Sequence, residues 1–351
     1  MIDKKNIISQ NATILEALSA LNELAPNPLI LFVVDEDNKM VGSLTDGDIR
    51  RSLISGATLK SFLSVAMHKN FKYIVQNNID NALFIRTLKK KRITLVPVLD
   101  NERHIIDAID LQKVITRLPV DAVLMAGGKG ERLIPLTLNT PKPLLKIANK
   151  PIIDYNIENL MRYGIENINV TVNYLANQIE KHFEKPFNGR QIKCIRETKF
   201  LGTMGSLDII KEWHNDTILL MNSDLFTNIN LESFYLHFKK YNADMSVAAV
   251  PYNVNIPYGI FEIRNTREIK CIEEKPSYHY YANAGIYLFK KELLPLIPHN
   301  QFYNATDFMI KIIELGKKVI RFPIAGYWID VGKPEDFKNV QEFARNIEQV
   351  S

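Results

Sequence analysis

Cysteine is nearly absent: only Cys194 and Cys271 occur in 351 residues. Two thiols so placed build no disulfide framework and supply no metal-ligand spacing. The simple reading is two small apolar side chains in a reducing compartment. Long apolar runs are missing too. Residues 29–34 form the longest, far too short to span a bilayer. The opening stretch, MIDKKNIISQ, lacks the apolar centre of an export signal. A cytoplasmic chain that engages no membrane is expected. Nor does one sign of charge dominate. Lysine and arginine total 44 against 39 acidic residues, a net +5 spread along the chain, which argues against a nucleic-acid partner. With 46% hydrophobic and 24% charged residues, the composition is that of a globular protein, and the length predicts two or three domains.

Residues 1–118 contain an internal repeat. Ile14, Ala17 and Leu18 return as Ile79, Ala82 and Leu83, and Val33 and Asp35 as Val98 and Asp100, each 65 positions later. Val41 is echoed by Ile106. Each copy reads as an amphipathic helix, a buried strand (29–34, then 94–99) and a second strand (40–44, then 104–109). A short helix closes each (48–54, then 112–118). This order, the repeat and the run GSLTDGDIRR at 42–51 resemble a tandem pair of CBS domains. The resemblance implies a regulatory or dimerising module, hence a homo-oligomer, and a purine nucleotide effector held by Thr45 and Asp48. A carboxylate at a helix start can accept from ribose hydroxyls while the helix N-terminus favours phosphate. The alternative is that Asp46 and Asp48 simply cap the helix. The second copy departs from the pattern, with Asp110 and Lys113 at the equivalent positions.

Pro119 marks a boundary, and the pattern then changes to alternating strands (120–125, 167–172, 192–196, 217–221) and helices (151–163, 175–183, 205–213). Such alternation predicts an α/β domain over 119–351, a mostly parallel sheet wrapped by helices. Ligands bind such sheets at the carboxyl ends of the strands. There the first strand, with Leu124, runs into Ala126, Gly127, Gly128, Lys129 and Gly130, followed by Arg132 and by Lys142 in Pro141-Lys142-Pro143. Glycines let backbone N–H groups crowd against a polyphosphate. The third glycine of a dinucleotide fingerprint is missing, its place taken by Leu133, and no Gly-Lys-Ser/Thr of a P-loop follows. A nicotinamide oxidoreductase is therefore disfavoured. On its own the loop could be a tight strand-to-loop turn.

The 21-residue run 124–144 as a whole resembles the signature of the sugar-1-phosphate nucleotidyltransferases, and further segments match that family in order up to about residue 338. Leu201-Gly202-Thr203-Met204-Gly205 resembles its Gly-Thr-Ala-Gly step near the nucleobase, with Met204 replacing alanine. Asn222-Ser223-Asp224 resembles a Gly-Asp step, with Ser223 replacing glycine, and Trp328-Ile329-Asp330-Val331-Gly332 resembles Trp-x-Asp-x-Gly. Tyr258-Gly259, Glu274-Lys275-Pro276 and Asn283-Ala284-Gly285 resemble the sugar-side steps. Each short segment alone has a plainer reading as a turn, a strand edge or a solvated charge run.

The resemblance implies a Rossmann-like nucleotidyltransferase domain. Gly127–Gly130 and Arg132 would hold the nucleoside triphosphate and Lys142 would neutralise its reacting phosphates. Gly202, Thr203 and Gly205 would lie by the base. Asp224 and Asp330 would bind Mg²⁺, and Tyr258, Gly259, Glu274, Lys275 and Asn283 would meet the sugar 1-phosphate. A CBS pair ahead of the catalytic domain is similar to the guanylyltransferase group. That group includes mannose-1-phosphate guanylyltransferases and the glucosamine-1-phosphate guanylyltransferases of legionaminic acid synthesis, whose architecture it matches best, so GTP and glucosamine 1-phosphate are the expected pair, with mannose 1-phosphate as acceptor, or dTTP or UTP as donor, the alternatives. No residue read here separates guanine from thymine. A nucleotide-sensing homologue without catalysis is the rival from another class. Retention of Arg132, Lys142, Asp224 and Asp330 argues against it.

Overall fold

The computed structural model describes residues 4–75 and 81–348. It divides into two compact units, Met1–Leu118 with Arg162–Gly164, and Pro119–Met161 with Ile165–Ser351. Among the described residues no helix is long and apolar enough to cross a membrane.

The first unit shows the repeat as structure. Strands Ile7–Ser9, Ile30–Val34 and Met40–Thr45 form one three-stranded sheet, and Ile74–Val75, Leu95–Leu99 and Ile105–Asp110 form another. In both, the first pair is parallel and the second antiparallel. The hairpin register slips at Val33/Val34 and again at Val98/Leu99. Asp35 accepts backbone N–H bonds from Asp37 and Lys39, and Asp100 accepts them from Glu102 and His104, so the same aspartate turn closes each hairpin. Lys39 bridges His104, its own counterpart, which relates the copies by a local two-fold. Ile14, Ala17, Leu31 and Val33 anchor one core and Ile85, Leu88, Val96 and Val98 the other. Ile79, the counterpart of Ile14, lies outside the described residues.

The closing helix forms in the first copy only, at Asp46–Ile54. Thr45 and Asp48 build its capping box: Asp48 accepts from the Thr45 backbone N–H at 2.9 Å and hydroxyl at 2.6 Å, and the Thr45 hydroxyl accepts from the Asp48 N–H. In the second copy Lys113 stands where Asp48 does and has no acceptor to return. Asp110 instead takes the Gln112 N–H in a local turn, with the Lys113 ammonium 3.6 Å away. The helix expected over 112–118 is therefore absent, and that segment runs through turns.

The second unit is built on a seven-stranded sheet. In chain order its strands are β1 (Asp121–Ala126), β2 (Asn167–Val172), β3 (Lys193–Arg196), β4 (Thr217–Asn222), β5 (Met245–Asn255), β6 (Ser277–Lys290) and β7 (Val319–Pro323). Their spatial order is β3-β2-β1-β4-β6-β5-β7. All neighbours pair in parallel except those of β6, which runs antiparallel to β4 and β5. The mostly parallel, helix-wrapped sheet expected from the sequence is thus present. Chain order reverses direction at β1, with β2 on one side and β4 on the other. The loops leaving β1 and β4 diverge there and open a crevice. Helix Ile152–Arg162 buries Ile153, Ile157 and Leu160 on one face, and Gly164, at φ +66°, turns the chain away after it. Met204, Leu207, Ile218, Leu220, Phe289 and Phe308 form the core on one face of the sheet.

The helix expected over 205–213 is much shorter: one turn at Gly202–Gly205, then a 3₁₀ turn at Ser206–Ile209. Asp121, buried at the start of β1, accepts the backbone N–H groups of His214 and Asn215 at 2.7 and 3.0 Å. The chain turns extended at Ile210, before that anchor.

Candidate active site

The crevice between the β1 and β4 loops is a cavity of about 660 Å³, within the range of small-molecule sites. Ala126, Gly127, Gly128, Lys129, Gly130, Arg132, Lys142, Gly202, Thr203 and Asp224 line it, so most of the nucleotide and catalytic candidates converge. Gly130 adopts φ +64°, a left-handed conformation that disfavours a side chain, and a Cβ there would stand 3.0 Å from Thr137. The Thr137 hydroxyl donates to the Gly130 carbonyl at 2.9 Å and fixes the loop.

Asp224 and Asp330 meet because a short antiparallel ladder pairs Leu225–Thr227 with Trp328–Asp330, Leu225 standing opposite Asp330. Lys142, only 8% exposed, lies between the two carboxylates. Its ammonium donates to one Asp224 oxygen and stands 3.7 Å from Asp330. Arg132 flanks the same place: a Cβ on Gly332 would lie 3.4 Å from both its terminal nitrogens and from an Asp330 oxygen. Burial, and then the neighbouring Asp224 charge, push the Asp330 carboxyl above its ordinary range, against the pull of Lys142 and Arg132.

The turn carrying Asp224 is held from behind. Asn156, buried on helix Ile152–Arg162, donates its amide to the carbonyls of Ser223 at 3.3 Å and Leu225 at 2.9 Å. The Ser223 hydroxyl donates to the Met125 carbonyl, tying the end of β4 to the end of β1. Ser223 in place of glycine therefore adds a tether.

One oxygen of Asp224 is buried without a hydrogen-bond partner. Such an orphan is costly unless a cation or water completes it. Among the described residues no cluster of three or more His, Cys, Asp or Glu side chains could hold a metal. Two carboxylates, one with an open lone pair, beside a cavity for phosphate are instead the sparse oxygen donor set that Mg²⁺ takes.

Other candidates fall elsewhere. Leu124 is fully buried in β1 and belongs to the sheet. Gly205 packs against the 301–303 backbone, where a Cβ would stand 2.4 Å from the Gln301 carbonyl. Tyr258, Gly259, Glu274 and Lys275 flank an exposed two-stranded flap, Ile260–Ile263 with Ile269–Glu273, and do not line the cavity. Gly259 and Glu274 are neighbours there, and Tyr258 is 71% exposed. Asn283, on β6, is engaged with the Tyr287 hydroxyl and the Gly285 N–H at 2.9 Å each. In the first unit Thr45 and Asp48 line a separate cavity of about 640 Å³, together with Arg51, Phe32, His68 and Phe71. Asp48 there also pairs with Arg51 at 2.6 Å.

Glu197 was not legible as a site residue. It directly follows β3, is 4% exposed, and lines the cavity beside Gly127, where a Cβ would stand 2.7 Å from its carboxylate. One oxygen accepts the Leu201 N–H at 3.0 Å. Burial raises its pKa, against the lowering effect of that bond. The signal available was a lone acid between a strand and the Gly202-Thr203 turn.

A family profile described as Nucleotidyl transferase matches residues 121–347, nearly the whole second unit. The chain belongs to the nucleotidyl transferase family. A CBS domain profile matches residues 1–55. The nucleotidyl transferase portion is similar to a mannose-1-phosphate guanyltransferase of Yarrowia lipolytica, 32% identical over 225 residues, covering 61% of each chain. It is also 32% identical over 231 residues to the bifunctional protein GlmU of Methanocaldococcus jannaschii, covering 64% of this chain and 54% of that one. The chain thus spans between about half and two thirds of the length of these curated relatives. A Bacillus anthracis structure described as a candidate glucose-1-phosphate thymidylyltransferase, in complex with sucrose, shares the fold. Its TM-score is 0.52 at 23% identity, over 64% of this chain and 95% of that one.

Proposed function

We propose that the protein transfers a nucleotidyl group from a nucleoside triphosphate to a sugar 1-phosphate. The observation that carries this reading is Lys142 held between Asp224 and Asp330 at the edge of the glycine-loop cavity. A phosphate oxygen of the sugar 1-phosphate attacks the α-phosphorus, the bond from that phosphorus to the β-phosphate breaks, and pyrophosphate leaves. The nucleophile is already ionised, so positioning and charge neutralisation suffice, without a strong base. Backbone N–H groups of 127–130 and Arg132 hold the triphosphate, and Lys142 neutralises charge around the α-phosphate. Asp224 and Asp330 are the residues that would hold Mg²⁺, which when bound supplies further neutralisation of phosphate oxygens. Tyr258, Gly259, Glu274 and Lys275 by the flap, and Asn283 on β6, are assigned to the sugar 1-phosphate by the family resemblance alone, since none of them lines the cavity.

Glu197 supports GTP as the donor. An ionised carboxylate offers only acceptors, and guanine presents two adjacent N–H donors on one edge. For the acceptor, the guanyltransferase relative favours mannose 1-phosphate over the glucosamine 1-phosphate expected from the CBS-fused architecture. Legionaminic acid synthesis accordingly drops behind the mannose reading. Exchange of labelled pyrophosphate into GTP in the presence of GDP-mannose tests this reading. Exchange that needs both Asp224 and a divalent cation supports it, and none with any nucleoside diphosphate sugar removes it.

A second reading concerns the first unit. Residues 1–118 serve as a tandem CBS pair, and the cavity lined by Thr45 and Asp48 takes a purine nucleotide that tunes activity. The capping box already accounts for that pair, so the ligand is what requires proof. Kinetics unchanged across AMP, ATP and GMP titrations would leave the pair a structural or dimerising module.

A further inference from the structure

The cavity lining carries a feature that phosphate binding does not use. Phe200 lines the cavity and is 50% exposed, an unusual place for a large aromatic ring beside glycines, lysines and carboxylates. Phe302, 57% exposed, stands against it with ring centroids 5.8 Å apart at 54°. The two rings are 102 residues apart in sequence (302 − 200), and their backbones are laced together. Met204 and Gly205 donate to the Tyr303 carbonyl at 2.9 and 3.0 Å, and Tyr303 donates to the Leu201 carbonyl at 2.9 Å. Ala305 donates to the Thr203 hydroxyl at 2.7 Å. The segments that carry the two rings are therefore braced against each other, and both rings keep about half of their surface exposed.

We propose that Phe200, braced by Phe302, is the stacking platform for the nucleobase of the bound nucleoside triphosphate. This deepens the nucleotidyl-transfer reading and rests on it. Glu197 lies three residues before Phe200 and Gly202-Thr203 two to three after it, so edge recognition and face recognition come from one turn. An exposed ring costs little to hold in place and gains by covering a flat base. Stacking of this kind tolerates any base and is worth about one to two orders of magnitude in affinity when lost to alanine. The edge contact, by contrast, discriminates between bases.

The test is binding by calorimetry of GTP, UTP and inorganic tripolyphosphate to the full chain with Mg²⁺, for wild type, Phe200→Ala, Phe200→Trp and Phe302→Ala. Phe200→Ala is expected to weaken GTP about tenfold or more, to weaken UTP less, and to leave tripolyphosphate, which has no base, unchanged. Phe200→Trp keeps GTP near wild type, and Phe302→Ala loses part of the affinity. Unchanged GTP affinity in Phe200→Ala, or equal losses for GTP and tripolyphosphate, would overturn the proposal. Wild type that binds GTP and releases no pyrophosphate would sink the reaction but leave the stacking comparison readable. Wild type that binds tripolyphosphate and GTP equally would overturn the platform alone.

Discussion

At the scale of single residues, the candidate site concentrates charges where water is scarce, with Lys142 and Glu197 both buried. Asp224→Ala should lower turnover at least about 100-fold, the scale for losing one charge-stabilising element, and near-normal turnover would remove its metal role. Glu197→Gln should erase the preference for GTP. It should also change the pH dependence. Burial raises the Glu197 pKa in the folded state above the ordinary 4.5. Between those values the folded state binds more protons than the unfolded one, so stability falls as pH rises through the window and is flat above it. Thermal melts of Glu197→Gln should lack that slope, and a wild-type slope in the variant would contradict the assignment. The two cysteines differ in their surroundings. Burial pushes Cys194 up to about 11, while Cys271 is exposed and hydrogen-bonded to Glu262. A thiol reagent at alkaline pH should therefore label Cys271 first, by mass spectrometry. The residues that share the cavity were legible as candidates where they sat in a dense local pattern, as Ala126–Gly130, Arg132 and Lys142 do in 124–144. Glu197 was not, because its role comes from cavity walls supplied by β1 and β2 that no local spacing reveals.

At the scale of elements, the site depends on contacts between segments. Asn156 does not line the cavity yet holds the carbonyls on both sides of Asp224. Asn156→Ala should cost about 1–3 kcal/mol and lower kcat more than it raises KM for the nucleotide. An unchanged melting temperature would show that the turn holds without it. Thr45→Ala should cost about 1 kcal/mol through the lost cap, whether or not a nucleotide binds nearby. The strand and helix alternation was readable from apolar periodicity, as was the first repeat. The helices expected over 205–213 and 112–118 had suitable side chains. In the first the chain turns extended at Ile210, and Asp121 then takes the N–H groups of His214 and Asn215; in the second a lysine stands where the first copy has Asp48. The flap carries Tyr258, Gly259, Glu274 and Lys275 outside the cavity lining, at the end of the long β5 and β6 extensions.

At the scale of the whole molecule, two compact units share one chain, and the nucleotidyl transferase profile accounts for the second. The division at Pro119 was marked by a proline and a change of periodicity. The local two-fold within residues 1–118 was written in the 65-residue repeat. What the sequence left open is the choice of base and sugar, since those depend on cavity shape and on where the flap lies. The most direct measurement is pyrophosphate release with Mg²⁺ across ATP, GTP, UTP, CTP and dTTP, each paired with mannose, glucosamine and glucose 1-phosphates, with the product identified by mass spectrometry. The account predicts release confined to GTP, strongest with mannose 1-phosphate, and absent in Asp224→Ala. Release that persists in Asp224→Ala, or silence of the wild type across every pair, would contradict it.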